Sequence, residues 1–145
     1  MSRRRDREEI LDVVARYAHT VDERNIDGIV ACFAPDGRID FEGGLSSGEG
    51  HDGIRAAYEQ AFTAPTLAPP AASTHLMANT LVTVDGDTAH AETQAVAYLA
   101  SGTLGTVVTR GLRYSDDLRR TDDGWCIVHR VHRSIWQTEA PGQVQ

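Results

Sequence analysis

The sequence predicts one α+β domain: amphipathic helices first, then a long antiparallel meander curled around a small-molecule pocket. Three observations carry this expectation. Apolar residues at helical spacing fill the chain before Thr63. From Thr74 the pattern changes to long strands parted by hairpin signals, Asp85-Gly86-Asp87 and Asp122-Asp123-Gly124. A length of 145 residues suits a single domain with a substantial core.

Ile10, Val13, Val14, Tyr17, Ala18 and Val21 form one apolar stripe, which predicts a first helix from Asp6 to Glu23. Asp6 with Glu9 three residues on reads as its capping box. Asn25 caps a short second helix whose inner face is Ile26, Ile29, Val30 and Phe33, and Pro35-Asp36-Gly37 ends it as a turn. Arg38 to Glu42 reads as a short strand, followed by a Ser/Gly-rich loop to Gly50. A third helix starts near Asp52 with Ile54, Ala57, Tyr58 and Ala61 inward, and the Pro-rich stretch Thr63 to Ser73 is a loop. Four strands follow: Thr74–Val84, Thr88–Ala100, Thr106–Arg119 and Trp125–Trp136, with a disordered tail from Glu139. Strands this long, covered by helices on one side, must bend, and a bent sheet under one helical layer leaves a cavity.

The formal net charge of -7 repels phosphate backbones, so nucleic acid is a poor partner. The basic run Arg3-Arg4-Arg5 reads as a frayed, solvated end. It leads into Asp6, Glu8 and Glu9 instead of an apolar stretch, so no signal peptide is expected. The uncharged stretch Gln60 to Val84 is broken by Pro65, Pro69 and Pro70, which argues against a membrane span. Cys32 and Cys126 fall in no metal or redox motif, as expected of reduced thiols in a cytoplasmic protein. No Gly-rich phosphate loop, nucleophile elbow or Cys-His cluster is present. The chemistry on offer is proton transfer by His, Asp and Tyr, without cofactor or metal.

Tyr17 and Asp22 lie five residues apart on the first helix, so their directions differ by roughly 140°. Tyr17 reads as core or cavity wall. Asp22 reads as a solvated carboxylate or a functional one, since the helix dipole disfavours a negative charge in the last turn. Alternation groups His75 with Met77, Asn79 and Leu81, a mixture that suits a pocket wall better than a plain core. Taken alone, His75 serves equally as a structural histidine or a general base. On the last strand, alternation groups His129 and Arg133 with Trp125, Ile127 and Val131, and Arg130 and His132 with Cys126 and Val128. The two histidines then face apart, which does not suit joint metal ligation. One of the two arginines can reach a ligand. Tyr114 with Asp116, and Glu92 with Tyr98, are further polar candidates, such pairs being more often cross-strand surface pairs than catalysts.

Taken in order, these segments resemble the SnoaL-like family of the nuclear transport factor two-like superfamily, from about Arg7 to Trp136. The markers are Ile10, Tyr17, Asp22 and Ile26-Asp27-Gly28, then Cys32-Phe33-Ala34-Pro35-Asp36-Gly37, Gly50 and Ile54. They continue through Thr74-His75 and Asn79, Val84-Asp85-Gly86-Asp87-Thr88-Ala89, Tyr114-Ser115-Asp116, and Asp123-Gly124-Trp125-Cys126-Ile127. The resemblance implies a single domain over 1–145: a cone-shaped curved antiparallel sheet, wrapped by three N-terminal helices around a deep apolar pocket. It implies a homodimer or homotrimer.

The dehydratase-like members use a Tyr and an Asp on the first helix with a His from the sheet, and Tyr17, Asp22 and His75 match those positions. The second sheet histidine of scytalone dehydratase has no clear counterpart on Thr88–Ala100, where Glu92 and Tyr98 are the nearest polar residues. The resemblance thus implies a cofactor-independent dehydratase, isomerase or cyclase acting on a hydrophobic oxygenated ring compound, polyketide or steroid-like. His75, Asp22 and Tyr17 would be catalytic, with Asn79, Tyr114, Arg133, Tyr98 and Met77 around the substrate. The alternatives are a non-catalytic small subunit of a ring-hydroxylating dioxygenase and a small-molecule binding protein.

Overall fold

The computed structural model describes residues 2–43 and 47–145. The chain runs α1 (Arg3–Asp22), α2 (Ile26–Ala31), β1 (Phe33–Glu42), β2 (Gly48–Glu49), α3 (Gly50–Ala61), β3 (Ala71–Asp85), β4 (Thr88–Ser101), β5 (Thr106–Thr121) and β6 (Gly124–Pro141). The strands form one sheet in the order β2-β1-β6-β5-β4-β3. β3 to β6 are the expected antiparallel meander, whereas β1 docks parallel on β6 and makes the sheet mixed. A parallel neighbour needs a long crossover, and α3 with the meander provides it.

The stripe of α1 buries Ile10, Val13, Val14, Tyr17, Ala18 and Val21 against the inner face of the sheet. Burying side chains of this kind contributes roughly 1.5–3 kcal/mol for each large one. The facing row of β4 is small: Ala89, Ala91, Thr93, Ala95 and Ala97 are all buried. These short side chains leave room between helix and sheet, and at its far end the row borders the cavity described below.

Several local expectations are corrected. Ser2, and not Asp6, caps α1, its Oγ accepting from the Arg5 amide. Asp6 is buried inside the helix, where Oδ1 accepts from Arg120 Nη1 at 2.7 Å and from Trp125 Nε1 at 3.2 Å. The acid at the first turn therefore serves a long-range contact with the β5–β6 hairpin. Asn25 caps α2 as expected, accepting from Gly28 N at 2.9 Å. Pro35-Asp36-Gly37 lies inside β1, absorbed by a register shift between Phe33 and Arg38. Part of the Ser/Gly-rich loop (44–46) lies outside the described residues. β6 runs past Trp136 to Pro141, because Ala140 and Pro141 still pair with Val107 and Thr106.

Bulges set which side chains face inward. Register shifts fall between Ala78 and Leu81 on β3, and on β6 at Ile135 and Val128, the extra residues opposite Gly111–Leu112 and Asp117–Leu118 of β5. Each bulge bends a strand and reverses the alternation beyond it. No helix among the described residues is long and apolar enough to cross a membrane.

Candidate active site

Helix α1, helix α3 and the inner faces of β1, β3, β4, β5 and β6 line a partly open cavity, with about 530 Å³ of empty space when the solvent at its mouth is included. Its apolar wall includes Val21, Phe62, Leu99 and Leu112. Its polar wall is Tyr17, Tyr58, His75, Tyr114 and His132, with Arg110 at one end.

His75 and Asp22 form the best-defined polar contact at the cavity. Asp22 ends α1, opposite the start of β3. Its Oδ1 lies 2.6 Å from His75 Nδ1, its Oδ2 accepts from the His75 amide at 2.9 Å, and Ser73 Oγ donates to Oδ1 at 2.8 Å. Burial opposes the carboxylate charge, but the bonds from the His75 ring, the His75 amide and Ser73 outweigh it and hold the Asp22 carboxyl below its ordinary value. The ionised carboxylate only accepts, so Nδ1 carries the hydrogen and Nε2 of the neutral ring is left with a lone pair. The His75 side chain is only 9% exposed and lines the cavity. Asp22 stands behind it, outside the cavity wall.

Tyr17 is 2% exposed, and its hydroxyl is hydrogen-bonded to that of Tyr58. Burial raises the phenol of Tyr17 above its usual range despite the Arg130 charge and the Tyr58 hydrogen bond, and burial raises Tyr58 and Tyr114 further. All three are neutral hydroxyls at physiological pH and can donate a hydrogen bond. Beneath them the Arg130 guanidinium lies 4.1 Å from the Tyr17 ring centroid and 4.5 Å from that of Tyr114. Asp116 holds it through two 2.6 Å bonds, both residues being fully buried. Burial disfavours the Arg130 charge, yet the Asp116 carboxylate keeps it cationic.

Four of the expected substrate-binding residues do not line the cavity. Asn79 sits in the β3 bulge with φ 49°, and its Nδ2 donates to Gln94 Oε1 on the outer face. Tyr98 is 41% exposed on that same face. Arg133 points away from the cavity, donating to Glu42 Oε2 and Ser115 Oγ, each at 3.0 Å. Met77 faces inward as expected, but packs against the core and does not reach the cavity. Tyr114 lines it as expected.

The sequence pattern misplaced β6 for one reason. Leu118 pairs with Ile127 and Asp117 with His129, so Val128 is an extra residue and the alternation slips. Trp125 and Ile127 therefore share the inner face with Arg130 and His132, while His129 turns outward to Asp40, 2.7 Å away. Periodicity alone had no signal for the slip. His132 lies between the Phe41 and Tyr114 rings, with centroids 5.0 and 5.1 Å away. Burial, then the charge of Arg130, push its imidazole down to about 4, so it is neutral near pH 7. The helical pattern marks Tyr58 only as an inward residue of α3, with no signal for a polar role. Among the described residues, no group of three His, Cys, Asp or Glu side chains could hold a metal ion.

Comparison with known proteins agrees with this architecture. The SnoaL-like domain family matches residues 2–131. An uncharacterized protein of Mycobacterium tuberculosis is 33% identical over 135 residues, covering 91% of this chain and 87% of its own. A proposed aromatic ring hydroxylase of Novosphingobium aromaticivorans superposes with a TM-score of 0.83 at 28% identity, over 97% of this chain and 96% of that one. The hexachlorocyclohexane dehydrochlorinase of Novosphingobium barchaimii has a TM-score of 0.85 at 16% identity, over 99% and 97%, and so shares the fold. With the family model matched across residues 2–131 and a relative 33% identical over nine-tenths of the chain, the chain belongs to the SnoaL-like family.

Proposed function

We propose that the protein is a cofactor-independent lyase or isomerase acting on a hydrophobic, oxygenated ring compound. The carrying observation is the Asp22–His75 pair: among the described residues, His75 is the carboxylate-backed imidazole that lines the cavity, and its Nε2 offers a basic lone pair. His75 Nε2 takes a proton from carbon next to a carbonyl, and Asp22 stabilises the imidazolium that forms. Tyr17, its hydroxyl aligned by Tyr58, donates a hydrogen bond to the enolate oxygen. A proton transfer positioned in this way gives roughly 10²–10⁴-fold acceleration, with more from stabilising the oxyanion. Loss of a hydroxide as water, migration of a double bond and ring closure all depart from that enolate. Membership of the SnoaL-like family, and a fold shared with a protein named as a dehydrochlorinase, support chemistry of this class.

The test is a panel of cyclic ketones and hydroxyketones incubated in D₂O, read by proton NMR for exchange next to the carbonyl, dehydration or isomerisation. Wild-type protein is expected to process at least one member, and His75→Ala to lose at least 10²-fold of that rate. Equal rates for the two proteins would remove His75 from the reaction and the proposal with it.

A second reading is the non-catalytic small subunit of a ring-hydroxylating dioxygenase, a chain whose work is assembly; a relative named as a proposed aromatic ring hydroxylase is in line with it. The outer sheet face displays Leu76, Ile135 and Trp136, each more than half exposed, which suits self-association into a dimer or trimer. Co-purification with a larger oxygenase chain would favour that reading, whereas turnover by the isolated protein would favour the first.

A further inference from the structure

The cavity does not end at its apolar wall. It opens into an outer groove with which it shares Phe41, Leu67, Arg110 and His132. Thr66, Ser134 and Gln137 add neutral polar groups to that groove. Arg110 stands at the junction, on the inward row of β5 that also carries Leu112 and Tyr114.

Arg110 differs from most of the sheet's other arginines. Arg38, Arg119, Arg120, Arg130 and Arg133 each form an ion pair with a carboxylate. The one side-chain partner of Arg110 among the described residues is neutral, Gln137 Oε1, which accepts from Nε at 3.0 Å. Arg113 also lacks a carboxylate, but it stands exposed on the outer face. The acid lining the groove, Glu42, is engaged by Arg133. Arg110 is thus a cation at the cavity mouth with no carboxylate partner among the described residues, in a chain of net charge -7. Its charge reaches inward, being one of the causes that keep a proton off His132.

We propose that the ligand of this cavity is an apolar ring bearing an anionic substituent, a carboxylate, sulfate or phosphate, and that Arg110 binds that substituent at the mouth. This deepens the proposed function, resting on its reading of the cavity as the substrate site. The ring fills the wall of Val21, Phe62, Leu99 and Leu112, with its reactive carbon toward His75. The substituent lies in the groove, where the terminal nitrogens of Arg110 meet it and Thr66 and Ser134 hydroxyls supplement them. A charge-assisted contact of this kind favours the anion over a neutral isostere by roughly 10- to 100-fold.

The experiment uses two near-isosteric probes, 1-naphthylacetate and 1-naphthylacetamide, titrated by calorimetry and followed by methyl NMR. Wild-type protein is expected to bind the acid at least tenfold more tightly than the amide, with shifts at the methyls of Leu67, Leu99 and Leu112. Arg110→Gln should abolish the preference while leaving the amide affinity unchanged, and Arg110→Lys should keep part of it. A preference that survives in Arg110→Gln overturns the inference. So does equal binding, or no binding, of the two probes by wild type, or shifts confined to Leu76 and Ile135 on the outer face. Substituting panels of carboxylates, sulfates and phosphates on the same ring then separates the three anions. His75→Ala should retain the preference for the acid over the amide, whatever its absolute affinities. Its lost turnover with a retained preference would mark the catalytic reading and this one as separate results.

Discussion

Asp22 grips His75 twice, through the ring Nδ1 at 2.6 Å and through the backbone amide at 2.9 Å. The carboxylate therefore fixes both the tautomer of the imidazole and the position of the strand that carries it. Asp22→Asn keeps the size of the group but can offer N–H to Nδ1, which would place the ring hydrogen on Nε2 and remove the base. The expected loss of turnover is roughly 10²–10⁴-fold. It is measured by the deuterium-exchange and elimination assay, alongside circular dichroism to show that the fold is kept.

The Arg130–Asp116 pair is fully buried and doubly bonded, and the rings of Tyr17 and Tyr114 rest on it. Arg130→Met leaves Asp116 as an uncompensated charge and should destabilise the fold by about 3–5 kcal/mol in urea titrations. The double change Arg130→Met with Asp116→Leu should recover most of that. If the double variant is as unstable as the single one, packing and not stranded charge sets the loss.

His132 makes stability depend on pH. Its folded value lies near 4, below the ordinary 6.5 of an exposed imidazole. Above 6.5 neither state is protonated, and the group contributes nothing. As the pH falls from about 6.5 to about 4, the unfolded chain binds a proton that the folded chain does not, so stability is lost across that window. The loss is about 3 kcal/mol at most. Unfolding of His132→Gln between pH 7 and 4 should show a correspondingly flatter profile. Asp22 acts lower down: its folded carboxyl is held below the ordinary value, so its contribution is complete above about pH 4 and is lost below that.

Gly102 limits the segment that closes one side of the cavity. A Cβ there would lie 1.8 Å from the carbonyl oxygen of Pro70, a backbone atom that cannot turn away. Gly102→Ala must push residues 62–70, and Phe62 and Leu67 of that segment line the cavity. We expect a destabilisation of about 1–3 kcal/mol, read by thermal unfolding, together with weaker binding of both naphthyl probes. Unchanged binding would show that the segment moves as a unit without reshaping the wall.

Much of the fold was legible in the chain itself. The 3.6-residue stripe of α1, the Asn25 cap and the Asp-Gly hairpin signals are local features, and local geometry follows from nearest neighbours. The family markers further named Tyr17, Asp22 and His75; in the structure Tyr17 and His75 line one cavity, and Asp22 holds His75 from outside its wall. The misassigned side chains share a different origin. Asn79 and Arg133 lie at or beyond bulges, where one extra residue reverses every side chain that follows. Asp6 looked like a cap because its true partners, Arg120 and Trp125, lie more than a hundred residues away.

The sequence by itself determined the order of elements, the amphipathic faces and the residue types available for proton transfer, because these depend on periodicity and neighbouring residues. Only the tertiary structure decided which face of β6 meets the cavity, that His132 and Tyr58 join its polar wall, and that Arg110 stands at its mouth with no carboxylate partner among the described residues. Those outcomes rest on strand register and on contacts between distant segments, and a bulge at a single residue such as Val128 is enough to exchange one set of side chains for the other.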